Sequence, residues 1–405
     1  MTVTVSAQDS GALIDALIRK GILTNQEAED IRAELVRENS PIPAPAFANG
    51  RSTHRLSVGM RMQGQYAYLD TDVAPSSMVG PVATNHAFLR RMYLTLRASV
   101  SADWSATFTY DFASSGYDDA YFEYRPSPDL IFNFGLRKVN VAYEERASSG
   151  NIRAIERSAV TRYFVEGNNG RRLGAASYRI GAFVDGRRDL APNLAVVYSA
   201  AVTNPERAEN FTIASAAGDQ GNNALSYWAN VGLSGRLTEG TWIAGVAAGH
   251  LPDQGGVGTA ALGRGFDLTL YSLYTDITAG RFNLLAEYLV ADVERGRSAT
   301  RDARPQGFTF QPSLLLSETI EAVVRYSWLD SDGRGVTLSD VVRSAPNGGT
   351  MNRVSSWYAG ANWYVRGNDM KYQLGLEYAK SSGSLSTDRS EAKTLGVRSQ
   401  LQLQF

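Results

Sequence analysis

The chain has no cysteine among its 405 residues. That absence excludes a disulfide scaffold, a thiolate metal site and a cysteine nucleophile. Histidine is scarce as well, with only His54, His86 and His250 present. Three scattered imidazoles are little material for a metal centre, and none has a sequence partner for a Ser-His-Asp arrangement. The sequence therefore offers no convincing catalytic set and no cofactor motif; Asp118-Asp119, Asp330, Asp332 and Asp340 could draw a divalent cation to a loop, but solvated loop charge is the simpler reading and no metal site is expected. Gly255-Gly256-Val257-Gly258 does not open a helix and is no phosphate cradle. An excess of one charge sign is missing too: 40 Lys+Arg stand against 41 Asp+Glu, a net charge of -1. That balance does not suit a bulk nucleic-acid binder. No apolar run approaches the ~18–20 residues of a membrane-spanning helix. A membrane-spanning barrel stays open, because only every second residue of its strands need be apolar. What is abundant is glycine, with 38 residues, and tyrosine, with 20; such aromatic content argues against disorder.

Three segments precede the bulk of the chain. Residues 1–9 read as a residual export region, since Val5-Ser6-Ala7 resembles the small-residue end of a cleavage site. An ordinary cytosolic start is the competing reading, because Met1–Gln8 has neither a basic region nor a long apolar core. Residues 10–40 have a helical pattern. Leu13, Ile14, Leu17 and Ile18 form one stripe, Gly21 ends it, and Thr24 with Glu27 makes a capping box for a second short helix. Helices this short need a partner. The expected role is a periplasmic segment that plugs the molecule, forms a stalk or touches peptidoglycan. Residues 41–53 form a proline-rich linker around Pro41, Pro43 and Pro45.

From residue 54 to 405 the apolar period is two. Trp104, Ala106, Phe108, Tyr110 and Phe112 alternate with Ser105, Thr107, Thr109 and Asp111; Leu395, Val397, Leu401, Leu403 and Phe405 alternate with polar residues in the last segment. Sixteen such runs are expected near 54–69, 88–101, 103–113, 117–125, 129–137, 171–184, 191–203, 226–237, 241–251, 264–276, 281–292, 305–316, 318–330, 353–366, 370–381 and 391–405. Short links alternate with long ones rich in Gly, Asn, Asp and Ser. The expected fold is an all-β membrane protein, a 16-stranded antiparallel transmembrane β-barrel with a short N-terminal helical segment.

The chemistry of the two faces separates this from a soluble sandwich. One face is almost uncharged at mid-strand. The other carries Arg55, Arg61, Arg91, Arg97, Arg125, Arg137, Arg179, Arg325, Arg366, Lys371 and Arg398, with Asp111, Glu123, Glu287, Glu321 and Glu377. An Arg facing lipid at mid-depth costs ~2–4 kcal/mol, so segregation of arginine is what a bilayer imposes. A closed barrel also satisfies every strand edge. Trp104, Trp242, Trp328, Trp357 and Trp363 fall on the oily face, as interface girdles require. The terminal Phe405 resembles the signal read by bacterial outer-membrane assembly machinery.

An ordered series of elements resembles the phosphate-selective porin O and P family over roughly 50–405. It runs through Arg90-Arg91-Met92-Tyr93-Leu94, Asp103-Trp104, Tyr110-Asp111-Phe112, Ala120-Tyr121-Phe122-Glu123-Tyr124, Phe134-Gly135-Leu136-Arg137-Lys138, Ile155-Glu156-Arg157-Ser158 and Arg171-Arg172-Leu173-Gly174. Two places depart from the family pattern: Val139–Tyr143 stands where a Pro-Phe-Gly turn is usual, and Arg172-Leu173 replaces an acidic position. The resemblance implies a homotrimeric channel of the Gram-negative outer membrane, in contact with its lipid, that binds small anions through basic residues.

The connection 138–170 is then the expected constriction. Its Lys138, Arg146, Arg153, Arg157 and Arg162 face Arg91, Arg97, Arg137 and Arg179 of the wall, and these nine are the expected anion-binding residues. Glu156 with Arg157 is the expected tie from loop to wall. The expected function is passive diffusion with anion preference, phosphate among the candidates. Two other readings remain: a structural protein anchoring cell wall or a surface layer through its helices, and a barrel enzyme.

Overall fold

The computed structural model describes residues 17–18, 55–74, 83–167, 169, 171–204, 224–252, 254–256, 266–385 and 390–405. Leu17 and Ile18 are helical. The rest of the expected segments at 1–9, 10–40 and 41–53 lies outside the described residues.

The strands follow the period-two runs closely. They are β1 (Arg55–Ala74), β2 (Ala83–Ser99), β3 (Trp104–Asp111), β4 (Gly116–Ser127), β5 (Leu130–Lys138), β6 (Tyr178–Ala191), β7 (Leu194–Thr203), β8 (Ser226–Leu237) and β9 (Gly240–Leu251). Then come β10 (Leu268–Ala279), β11 (Phe282–Ser298), β12 (Arg301–Ala303), β13 (Gln306–Leu315), β14 (Ile320–Asp330), β15 (Met351–Arg366), β16 (Met370–Ser384) and β17 (Glu391–Gln404). Each pairs antiparallel with its sequence neighbours, and β12 and β13 both pair with β11, so they are two pieces of one stave broken at Pro305. The result is a closed barrel of sixteen staves. Closure is made by β1 against β17, with Met60 N–H bonding to Phe405 O at 2.9 Å and Phe405 N–H to Met60 O at 3.0 Å. Among the described residues every stave is paired on both sides, which is what the bilayer interior demands.

Alternation places the apolar residues outside. Leu56, Val58, Met60, Tyr66, Trp357, Trp363, Leu395 and Leu401 are exposed, while Gln63, Gln65, Arg398, Gln400 and Gln402 between them are buried inside. One register shift matters for the interior. In β2, Gln63 opposes Arg91 while Gly64 opposes Leu89, leaving Arg90 as the extra residue of a β-bulge. The bulge lets adjacent residues share a face.

The connection after β5 runs from residue 139 to 177, longer than expected. Residues 171–177 do not join a stave as the 171–184 run suggests, because Leu173 N–H bonds to Tyr163 O at 2.9 Å and Ala175 N–H to Phe164 O at 2.8 Å. This connection holds α1 (Tyr143–Arg146) and α2 (Ala159–Val165). A second long connection, 331–350, holds α3 (Leu338–Val341), closed at its start by a Thr337/Asp340 capping box. Both enter the barrel. Val160, Tyr163, Phe164 and Val165 pack with Leu338 and Val341 and with inward Leu268, Leu270, Leu289, Val293 and Leu329. Part of the lumen is therefore dry, where alternation alone suggested wet throughout. The cause is local: near the long-loop ends of β10 and β11 the inward positions are also apolar.

Candidate pore constriction

The connection 139–177 crosses the lumen and is fastened to the opposite wall by side chains of that wall, which donate to its main-chain carbonyls. Gln63 Nε2 donates to Ser149 O at 3.0 Å, Lys371 Nζ to Gly150 O at 2.7 Å and Ile152 O at 3.1 Å, Gln373 Nε2 to Arg153 O at 2.9 Å, and Arg325 Nη1 to Glu156 O at 2.6 Å. Behind these contacts runs a row of carboxamides. Gln65 Nε2 donates to Gln400 Oε1 (2.8 Å), Gln400 Nε2 to Gln373 Oε1 (2.7 Å), Gln373 Nε2 to Asn362 Oδ1 (2.9 Å) and Asn362 Nδ2 to Glu321 Oε2 (3.1 Å). The row spans β1, β17, β16, β15 and β14. Alternation puts these residues inward; antiparallel registers such as Gln65 opposite Gln400 bring them level.

Two carboxylates position the loop's helices. Glu287 of β11 accepts the N–H of Tyr143 at 2.6 Å, the N–H of Glu144 at 3.0 Å and Ser272 Oγ–H at 2.9 Å. It thereby satisfies donors at the start of α1 that no helical turn can satisfy. Glu144 does the same for α2, accepting from Ser158 N–H, from Ser158 Oγ at 2.6 Å and from Thr161 Oγ1.

The remaining acids of the loop lie among cations. Glu145 pairs with Lys138 (3.0 Å) and Arg157 (2.7 Å). Glu156 pairs with Arg90 (2.7 Å) and Arg343 (3.0 Å). Glu166 pairs with Arg162 (2.8 Å), Arg172 (2.8 Å) and, at 2.7 Å, the same Arg343. Six cations thus share three carboxylates. Burial alone would push the Glu156 carboxyl up, but Arg90, Arg343, Arg91 and Arg398 hold it well below the usual carboxylate range. Glu166 is likewise held low against burial by Arg162 and Arg343. Arg162 is pushed down to about 9 by burial and by the Arg343 guanidinium, and it remains cationic at neutral pH.

The nine expected anion-binding residues end up in different surroundings. Lys138, Arg153, Arg157 and Arg162 each hold a carboxylate, Arg153 taking Glu321 at 2.9 Å. Arg137 pairs with Asp185. Arg179 donates to Gly174 O at 2.8 Å and lies 5.8 Å from the Trp228 ring. Arg91 bonds to the neutral Gln63 at 2.7 Å, and Arg97 to Thr107 at 3.2 Å. Arg146 lies over Tyr143 and Tyr274, 5.4 and 5.9 Å from their centroids, and its Nη1 has no hydrogen-bond partner among the described residues. The expected Glu156–Arg157 tie is corrected: Glu156 does reach the wall, but through Arg90, while Arg157 turns to Glu145 and to the carbonyls of Glu145 and Ala147. Adjacent residues on the loop point to opposite sides, so one pair could not do both.

Arg90, Arg172 and Arg343 are not among the nine residues expected from the sequence to bind anions. Strict alternation assigns Arg90 to lipid once Arg91 faces inward, and only the bulge reverses that. Arg343 comes from another connection, 177 residues from its partner Glu166, and no local pattern points to it. Beneath the loop, toward the short turns, a small hollow open to solvent is lined by Asn151, Arg153, Asn283, Glu321, Tyr364 and Asn368, with Ile18 at its edge.

A closed barrel of sixteen staves, oily outside and narrowed by an inward loop, defines an outer-membrane diffusion channel, a porin. The chain belongs to the phosphate-selective porin O and P family, whose model matches residues 58–405. Among solved structures it is similar to the anion-selective porin from Comamonas acidovorans, at 10% identity and a TM-score of 0.58 over 87% of this chain and 100% of that one. The outer membrane channel DcaP of Acinetobacter baumannii aligns at 11% identity and a TM-score of 0.52, over 87% and 97%. OmpT, an outer membrane protein of Vibrio cholerae, aligns at 9% identity and a TM-score of 0.50, over 88% and 100%. Identities this low carry the fold alone. No protein of the curated set matches the chain in sequence.

Proposed function

We propose that the chain is a passive channel that favours small anions. The observation that supports this reading is the sharing of three loop carboxylates among six cations, with Arg91, hydrogen-bonded to the neutral Gln63, and Arg146, lying over Tyr143, adding further positive charge. A local surplus of fixed positive charge attracts anions, and the paired donors of a guanidinium suit oxyanions such as phosphate. Charges already engaged with carboxylates also bind weakly, which passage requires. Inward residues beside the loop that keep partial exposure include Tyr93 and Arg97 on β2, Tyr121 on β4, and Arg137 and Lys138 on β5, and we assign the solute path to that side. We read the molecule as a homotrimer, with residues 10–40 as a periplasmic segment.

The test is the reversal potential of single channels across a KCl gradient, followed by titration with phosphate. Chloride should permeate better than potassium, and phosphate should reduce chloride current in a saturable way. A potassium preference would overturn the anion reading; chloride preference without phosphate competition would remove phosphate alone.

A further inference from the structure

Gly232, Gly245, Tyr274 and Glu287 lie opposite one another in register and form one inward-facing row across β8–β11. The Tyr274 ring lies down along this row, over both glycines. A Cβ at Gly245 would fall 2.5 Å from its hydroxyl oxygen and 2.7 Å from its Cζ, and one at Gly232 would fall 2.9 Å from the same oxygen. The hydroxyl donates to Asn230 Oδ1 at 2.9 Å. A ring seated on bare backbone and tied at its tip is fixed in orientation. Tyr143, the first residue of α1, stacks on it with centroids 4.6 Å apart and planes 13° from parallel. Arg146, the last residue of α1, has its Cζ 5.4 Å from the Tyr143 centroid and 5.9 Å from that of Tyr274.

The lumen holds two more such seats. A Cβ at Gly249 would run into the ring of Trp228, its cross-strand partner, and Arg179 lies 5.8 Å from that ring. Tyr358 covers Gly360 and Gly375, themselves partners, and Arg325 lies 5.4 Å from it. In both of these the guanidinium edge is engaged with the main chain of the constriction loop. Arg179 donates to Gly174 O at 2.8 Å and Ala175 O at 3.2 Å, and Arg325 to Glu156 O at 2.6 Å. Those two arginines are clamps. Arg146 belongs to the loop itself, and its Nη1 has no hydrogen-bond partner among the described residues.

The manner of holding decides what charge is left over. A carboxylate fixes a cation by neutralising it and occupying its donors, as Glu145 does for Lys138 and Arg157. An aromatic ring holds a guanidinium by its face and leaves both the charge and the N–H edge open to another partner. Without a ring, an arginine on a four-residue helix spreads its guanidinium over many rotamers.

We propose that Tyr274, seated in the glycine recess of β8 and β9, is a positioning residue for anion selectivity: it holds Arg146 in place with its charge uncompensated. The proposal rests on the anion-channel reading above and names what fixes one of its charges. The recess at Gly232 and Gly245 is thereby part of the selectivity apparatus, although it contributes no side chain.

The experiment measures the chloride-to-potassium permeability ratio of the full chain in planar bilayers, with folding of each variant read from the heat-modifiable band. Tyr274→Leu should lower the ratio toward that of Arg146→Ala. Tyr274→Leu/Arg146→Ala should be no less selective than Arg146→Ala alone, because a ring that acts through Arg146 then has nothing to hold. Current flicker should stay at the wild-type level, since Tyr143 N–H remains bonded to Glu287. Tyr274→Phe, which keeps the ring, should keep most of the ratio. Gly232→Ala should lower it by driving a methyl group into the Tyr274 hydroxyl, and Gly232→Ala/Tyr274→Phe should recover it by removing that hydroxyl. The new Cβ also lies 3.0 Å from Ala244 O in both variants, so recovery isolates the ring. A wild type without anion preference would overturn the anion reading itself. In an anion-selective wild type, three results would leave that reading standing and overturn the role given to Tyr274: a ratio unchanged in Tyr274→Leu, a fall of equal size with and without Arg146, or lost selectivity accompanied by added flicker, which would make the ring a loop anchor. Should Tyr274→Leu fail to assemble, the Gly232→Ala pair decides, and a ratio that stays flat or does not recover refutes the proposal.

Discussion

Glu287→Gln should loosen the constriction without disturbing the barrel. The Glu287 carboxylate accepts two main-chain N–H groups, from Tyr143 at 2.6 Å and Glu144 at 3.0 Å, and the Ser272 hydroxyl at 2.9 Å. Glutamine of the same length keeps one acceptor oxygen and turns an NH2 toward the other N–H. The loss is one charge-assisted hydrogen bond plus a buried donor left without an acceptor. Hydrogen bonds to charged groups contribute ~1.5–3 kcal/mol and an unsatisfied buried donor costs a similar amount, so we expect a net loss of ~2–3 kcal/mol in holding α1 to β11. At 1.4 kcal/mol per tenfold, that multiplies the undocked population roughly 30- to 150-fold. Single-channel recordings should show added current flicker, and trypsin should cut after Arg146 faster than in the wild type. The heat-stable folded band should be unchanged, since the β11 ladder is untouched. Glu287→Asp should lie between the two. Wild-type noise together with wild-type protease resistance in Glu287→Gln would refute the argument that this carboxylate holds the loop.

Further outcomes can be checked alongside. Arg146→Ala should lower the chloride-to-potassium permeability ratio without raising flicker, because Arg146 lies over Tyr143 and Tyr274 and pairs with no carboxylate among the described residues; Arg157→Ala should do both, since it also takes one cation from Glu145 and removes the donor to the Glu145 and Ala147 carbonyls. On acidification, Glu156 and Glu166 have folded values below their unfolded ones, so the stability they contribute is complete above about pH 4–5 and disappears as pH falls through the folded values. Thermal unfolding should therefore be flat from neutral pH down to about 5 and drop only in stronger acid; a steep loss between pH 7 and 6 would contradict the ion-pair account. Gly135→Ala should prevent assembly, because Gly135 has φ +132° and a Cβ there would lie 2.3 Å from Ala120 O; normal yield of heat-modifiable barrel would refute this.

The staves were readable in the sequence because a bilayer forces alternation with few exceptions. Runs such as 226–237 and 241–251 coincide with β8 and β9 almost residue for residue. The inward cations of the wall followed from the same parity. What parity could not convey was anything that breaks it or reaches across the lumen. Arg90 faces inward only through the bulge at Gln63/Gly64. The apolar packing around Val160, Phe164 and Leu338 was hidden because Leu268 and Leu270 alternate with Asp267 and Thr269, so parity alone reads these leucines as the lipid face although they are buried inside. Arg343 joins Glu156 and Glu166 by the folding of two separate loops, and no short-range pattern encodes such a meeting. The carboxamide row was visible as individual glutamines in β1, β16 and β17, but its continuity depends on register.

That row has a bearing on how the channel would behave in brine. Its sense is set at both ends: Glu321 can only accept, and the Arg398 guanidinium at Gln65 Oε1 can only donate. None of the amides between them carries a net charge. Added electrolyte screens partly exposed ion pairs such as Arg172–Glu166 and Arg343–Glu166, but it finds little to screen along a neutral line of dipoles. The two sides of the constriction are thus fastened by bonds of different kinds, and as ionic strength climbs the arginine side should slacken first while the amide side acts as its hinge.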